Sequence, residues 1–345
     1  MARRSPVDLN AGRYVGIVFL ALMLAYSYVL PRWADWNQNS RYDLTRALVE
    51  HHTVVIDRYA ANTGDYATVR GRIVSDKAPG LSLLAVPPYA LYRLASHLPP
   101  VHTLTDRIAH RGAFAGTLNP DGTGLTGDKA DAALALAFVT LLCVAVPAAL
   151  MGVLLAAVFR RFSPHEGANA LAAVALMLAT PFAAYSNAFY GHVPVAVLLF
   201  AAFALLLSAD GTLGRSRSVM LGALFGATLL MEYPAAMVVA ALGCWTLALL
   251  WRSREPARLA WIALGAAPFL ALLALYDHAA YGTLLPTGYE HSTLWQDRHG
   301  EGFLSLTYPK ADALWGITFG DFRGLFFLAP VLLLVVPGFV VWWRA

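Results

Sequence analysis

The stretch SDKAPGLSLLAVPPYALY (75–92) opens on an Asp76-Lys77 pair and then turns almost wholly apolar, with prolines at 79, 87 and 88. A second polar group precedes it in NSRYDLTRALVE (39–50), which carries Arg41, Tyr42 and Asp43. Further along, polar and aromatic residues stand where apolar runs end. They are Tyr185, Asn187, Tyr190 and His192; Glu232 and Tyr233; Asp277 and His278; Tyr289 and Glu290; and Arg323. Cations hold phosphate, aromatic rings stack on sugar faces, and a carboxylate takes a proton from an attacking hydroxyl. Ionisable groups bordering membrane spans are costly and usually functional. Collected on one face, these residues predict an outward-facing cavity suited to a lipid-linked phosphorylated molecule. A plainer reading competes at each position: an ion pair tying loop to helix end, at about 0–1 kcal/mol. Lys77 reads secondarily as a snorkelling side chain, Arg323 equally as a helix-end anchor, and a lone His at a span end, such as His192, is more often an interfacial residue.

The elements that must position these residues are hydrophobic. Of 345 residues, 58% are hydrophobic and 13% charged, against about 45–50% and about 25% in soluble domains. The excess lies in long runs, which predicts an all-α integral membrane protein forming a single membrane domain over 1–345. Eight runs read as spans: 14–30, 131–158, 167–185, 192–208, 218–232, 235–251, 259–276 and 325–343. The first is longer than a signal-peptide core, and Pro31-Arg32-Trp33 is no small-residue cleavage site. The connections FRRFSPHEGA (159–168), ADGTLGRSRS (209–218) and WRSREPAR (251–258) carry seven Arg, whereas SNAFYG (186–191) and EYP (232–234) carry none. Positive loops stay cytoplasmic, so the N-terminus is expected in the cytoplasm and two loops, 32–130 and 277–324, outside. That parity leaves the juxtamembrane segment 79–97 lying at the outer surface or re-entering it rather than crossing. The alternative is a genuine span with a cytoplasmic 98–130 loop.

Within the first outer loop, 39–50 is expected to be helical, with Ser40 as N-cap and Asp43 at capping-box spacing. TVVID (53–57) is a short β-prone run, and GTLNPDGTGLTGDKAD (116–131) reads as loop. The formal charge of +4 comes without a basic stripe, which argues against nucleic acid as a partner. Cys143 and Cys244 both lie in apolar runs, so no disulfide is expected. No metal signature is present: His51 and His52 are adjacent and do not share a helix face. The last run ends at Arg344-Ala345, as in a truncated chain or a natural minimal version.

The order of a first span, an outer loop with an Arg-Tyr helix, the lip DKAPGLSLLAVPPYAL, a span ending in FRRF and further short-looped spans resembles the GT-C superfamily. These are polyprenyl-phosphate-sugar glycosyltransferases, and the protein mannosyltransferase and aminoarabinose transferase branch is the most similar. YGHVPVAVLLF (190–200) and FRGLFFLAPVLLL (322–334) add to the resemblance. It implies an inverting sugar transfer at the outer face of a bacterial inner membrane. The donor would be a polyprenyl-phosphate sugar and the acceptor a glycan, lipid or protein, with membrane lipid as the surroundings and no cofactor. Where the family carries D-E-x-R-Y with a catalytic acid, this chain has Gln38-Asn39-Ser40-Arg41-Tyr42. An amide cannot accept the proton, so the base would fall to Asp43 or Asp76, with Asp35 a more distant substitute. Lys77 matches the family's lip lysine that contacts the donor phosphate. Arg41, Tyr42, His192, Tyr289, Glu290 and Arg323 complete the expected binding set. Two other readings stay open: a transporter or lipid flippase, and a non-catalytic homologue.

Overall fold

A computed structural model of the chain describes residues 9–29, 31, 35–109, 129–284, 291–294, 308 and 310–344. The described residues are predominantly helical, with one small β-hairpin. Helix α1 (Leu9–Ser27) packs against α6 (Ala130–Phe159) and α7 (Glu166–Leu178). Val18 and Leu22 of α1 meet Ala145, Ala148 and Ala149 of α6 in the main buried cluster. Small side chains there let the helix backbones come close, which is how helices gain dispersion contact inside a bilayer. Inside α6 the turn Leu141–Ala145 widens to π geometry. Pro147 follows, without an N–H for the carbonyl of Cys143, and the wider turn takes up the mismatch.

Helices α8 (His192–Leu207), α9 (Arg215–Met231), α10 (Ala236–Ser253) and α11 (Arg258–Tyr281) form the second half. The α9–α11 pair is the most intimate in the molecule. A Cβ on Gly222 would overlap the carbonyl of Ile262, one on Gly265 the carbonyl of Val219, and one on Gly226 would stand 2.8 Å from the carbonyl oxygen of Ala266. Only glycine permits this backbone approach, in the small-residue manner of membrane helix pairs.

Among the described residues, three helices are long and apolar enough to cross a membrane: Ala130–Phe159, Tyr233–Ser253 and Arg258–Tyr281. Four shorter apolar helices, of 10–17 residues, are Gly12–Ser27, Glu166–Leu178, His192–Leu207 and Pro330–Arg344. This is far fewer full-length spans than the eight expected. Two of the runs are broken by proline: 167–185 stops at Leu178 and restarts as the one-turn helix Phe182–Tyr185 after Pro181. The last splits into Leu325–Leu328, a 3-10 turn from Pro330 and a terminal helix Val335–Arg344. Proline lacks the amide hydrogen and clashes with the preceding turn, so it ends or restarts helices even in apolar sequence.

The first loop is built differently from expectation in two places. Helix α2 spans Trp36–His51, and its N-cap is Asp35, whose side chain accepts from the Gln38 amide at 3.2 Å. Ser40 and Asp43 therefore lie inside the helix rather than at its start. The strands are β1 (Ala67–Val69) and β2 (Arg72–Val74), after the TVVID run; Val55 adds only a single bridge to Val74. Arg70 and Gly71 both hold positive φ, 51° and 77°, as a tight two-residue hairpin with right-handed strand twist requires. The apolar segment then forms α3 (Gly80–Leu84) and α4 (Val86–Ser96). Neither of these two short helices is of crossing length.

Candidate functional site

Five polar side chains line one cavity of about 370 Å³: Asn37, Arg41, Lys77, His192 and Glu232. Its other wall is apolar, from Val195 and Leu199 on α8 and Pro234, Ala235 and Val238 around the start of α10. The start of α8, the end of α9 and the start of α10 meet here, with α2 and the Asp76-Lys77 lip laid across them.

Arg41 is 1% exposed and organises the polar end. Its Nη2 donates to Glu232 Oε1 at 2.6 Å, its Nη1 to the carbonyl of Ala78 at 3.2 Å and its Nε to Asn37 Oδ1 at 3.2 Å. A guanidinium carries five N–H groups, and these three bonds use three of them. Asn37 precedes Arg41 by one helical turn, so the two share the face of α2 that looks into the cavity.

The lip is held from several sides. Ser75 Oγ meets Ser40 Oγ at 2.8 Å, and the hydroxyls of Tyr276 and Tyr281 on α11 both donate to the Ser75 carbonyl. A Cβ on Gly80 would stand 2.6 Å from the carbonyl oxygen of Leu230, so only glycine lets α3 lie on the last turn of α9. Lys77 Nζ donates to Asp65 Oδ1 at 2.8 Å and lies 3.3 Å from Asp76 Oδ1. An ammonium has three hydrogens, and the two carboxylates aim it at the cavity wall. Burial and the neighbouring Asp76 carboxylate push the Asp65 carboxyl above the usual carboxylate range, against the pull of Lys77.

His192 begins α8, with 54% of its side chain exposed and Nδ1 3.5 Å from Glu232 Oε1. Glu232 is 6% exposed. Gly191 is pressed against it: an added Cβ would stand 2.9 Å from Glu232 Cδ. Beside them, the rings of Tyr185, Tyr190 and His192 lie with centroids 5.5–5.7 Å apart in all three pairs.

Three of the expected binding residues, Arg41, Lys77 and His192, are thus brought together. The two carboxylates expected to act as base do not line the cavity. Asp43 is two residues from Arg41 on the same helix, which turns it to the opposite face. There it is fully buried, with Oδ1 accepting from Asn62 Nδ2 at 3.1 Å. Burial, opposed by Arg46 and by that hydrogen bond, pushes its carboxyl up to about 8. Asp76 is 1% exposed and stands behind Lys77 as its partner. Tyr42 is also turned away: its hydroxyl donates to the Ala132 carbonyl and its ring packs edge-on against Tyr89 and Phe189. Arg323 stacks over Phe322 and does not reach the cavity lining. Tyr289 and Glu290 lie outside the described residues.

The carboxylate that does line the cavity is Glu232, visible in the sequence as the acid of the EYP turn (232–234). Asn37 and Asp65 carried no local signal; only the folding of residues 62–65 back across α2 delivers Asp65 to Lys77. Among the described residues, no group of three or more His, Cys, Asp or Glu side chains is placed to hold a metal ion.

No family model, curated protein or solved structure matches this chain. What the cavity does is therefore carried by its own residues.

Proposed function

We propose that the protein is a multi-pass membrane glycosyltransferase. It takes a sugar from a polyprenyl-phosphate donor and transfers it, with inversion, to an acceptor outside the cytoplasm. The observation that carries this reading is the two-ended cavity. Arg41 and Lys77 stand at one end, and Val195, Leu199 and Val238 line the other. A phosphate carrying a long alkyl chain needs both ends: cations for the head and a hydrocarbon wall for the first units of the tail.

In this reading the eight apolar runs lie in a bacterial inner membrane, the shorter helices completing the three long ones through tilt and local thinning. The Arg-bearing connections face the cytoplasm and the cavity faces out. The leaving group is a phosphate monoester, already a stable anion, so the chemistry needs a base for the acceptor hydroxyl and cations for the departing phosphate. Asp43 and Asp76 do not line the cavity, so in this reading the base falls to the side of His192 and Glu232. The amides at Gln38 and Asn39 then serve structure. Gln38 Oε1 accepts from the Phe189 amide at 2.9 Å, and Asn39 Nδ2 donates to the Asn62 carbonyl at 2.8 Å.

The test is transfer of labelled sugar from polyprenyl-phosphate donors by the purified protein in lipid nanodiscs. Transfer that disappears in Lys77→Ala, while the variant still purifies as a folded, monodisperse protein, supports the reading. Transfer that survives Lys77→Ala and Arg41→Lys at the wild-type rate removes it.

A further inference from the structure

The aromatic group beside the cavity has no part in holding a phosphate. Tyr185, Tyr190 and His192 form a three-ring cluster on the break before α8 and on its first turn. Tyr185 is 41% exposed, so the cluster lies at the surface. His192 belongs both to this cluster and to the cavity lining.

The imidazole also stands beside a carboxylate. Its Nδ1 faces Glu232 Oε1, leaving Nε2 as the nitrogen that a ligand can meet. Glu232 is itself fixed, by Arg41 at 2.6 Å and by the close backing of Gly191. A nucleophile's hydroxyl, a base and a group orienting that base are the parts of an activated acceptor. Glu232 is the poorer candidate for direct contact, because it is buried and Oε1 already accepts from Arg41. The half-exposed histidine is the better one.

Resting on the transfer reading above, we infer that the acceptor is a carbohydrate, stacked on Tyr185 and Tyr190, and that His192 is its catalytic base. In the step, the acceptor O–H gives its proton to His192 Nε2. The acceptor oxygen forms a bond to the anomeric carbon. The bond from that carbon to the donor's phosphate oxygen breaks, and its electron pair leaves with the polyprenyl phosphate, held by Lys77 and Arg41. Glu232 is a positioning residue that orients the ring and faces the imidazolium that forms.

The experiment uses the full chain in nanodiscs, polyprenyl-phosphate sugars as donors, and two acceptor panels, methyl glycosides and short Ser/Thr peptides. Label is expected on the glycosides. His192→Ala lowers kcat by about 100-fold or more, leaves polyprenyl-phosphate binding unchanged and recovers part of its rate in free imidazole. His192→Gln, which keeps a polar side chain at the helix start, shows the same loss with wild-type thermal unfolding. Tyr190→Ala raises the glycoside KM by about 10-fold, equivalent to about 1.4 kcal/mol, without changing kcat. Glu232→Gln lowers kcat with the glycoside KM unchanged. Wild-type turnover in His192→Gln, or peptides labelled in place of glycosides, overturns the inference and leaves the donor site standing. A wild-type protein that binds no polyprenyl phosphate overturns both.

Discussion

Arg41 on α2 and Glu232 at the end of α9 form a buried ion pair, 2.6 Å between Nη2 and Oε1, with side chains 1% and 8% exposed. The pair joins α2 to a turn 191 residues further on and lies in the cavity lining. Removing one partner leaves the other charge buried and unpaired, which costs about 3–5 kcal/mol, whereas replacing both by apolar groups is often near neutral. Arg41→Ala and Glu232→Ala are therefore expected to lower the unfolding temperature strongly, and Arg41→Met with Glu232→Leu to recover most of it. The two variants that lack Arg41 also lose phosphate binding. Thermal unfolding in detergent beside a binding assay reads both effects, and a double variant no more stable than the singles would count against the pairing.

The glycine contacts predict where the cavity is most easily deformed. Gly80→Ala places a methyl group against the Leu230 carbonyl and lifts the lip from α9, at a cost of about 1–3 kcal/mol. Gly191→Ala pushes Glu232 away from His192. Phosphate binding should weaken in the first. In the second it should hold while transfer falls. Gly211, with open space around it, is unsuitable as a control because its φ is 90°; Gly16→Ala, on an open helix face, should change neither property.

Gly222→Leu tests the α9–α11 seam. The Ile262 carbonyl occupies the space that any side chain needs, so the two helices must separate and the lip loses the Tyr276 and Tyr281 hydroxyls that hold Ser75. Loss of folded, monodisperse protein in detergent is the expected outcome. Wild-type yield and unfolding temperature would show that the helices do not approach this closely.

Stability should fall as pH rises through the range set by Asp43. Its carboxyl is pushed up to about 8 by burial, against about 3.9 in the unfolded chain. Between those values the folded protein keeps a proton that the unfolded chain has released. The stabilisation is thus complete at low pH, declines as pH rises from about 4 and is lost by about 8. Asp65, also raised, adds a slope of the same sign. Asp43→Asn removes part of the decline and raises the unfolding temperature at pH 8 relative to wild type. An unchanged pH slope in that variant would place Asp43 in a solvated site.

Much of this was legible in the sequence. The apolar runs marked the helices, and the polar residues at their ends marked the face where the cavity lies. Arg41, Lys77 and His192 were all readable there, because cations and aromatics at such boundaries are rare. Span length was less legible, because Pro181 and Pro330 cut helices that hydropathy alone reads as continuous. The side on which Asp43 lies was misread for a geometric reason. Spacing placed Asp43 on the helix of Arg41, but two residues of helix turn a side chain to the other face. Asp76 was misread because a neighbour in sequence can be a partner of Lys77 rather than a wall of its cavity. Asp65 was out of reach altogether, since only the tertiary fold brings it to the lysine.

The most direct measurement is crosslinking with a polyprenyl phosphate carrying a photoreactive group in its first isoprene unit, mapped by mass spectrometry. The cavity reading predicts adducts on the peptides holding Val195, Leu199 and Val238, suppressed by excess unlabelled polyprenyl phosphate and by Lys77→Ala. Adducts spread over the lipid-facing surface of the helices, indifferent to competitor and to Lys77, would contradict it.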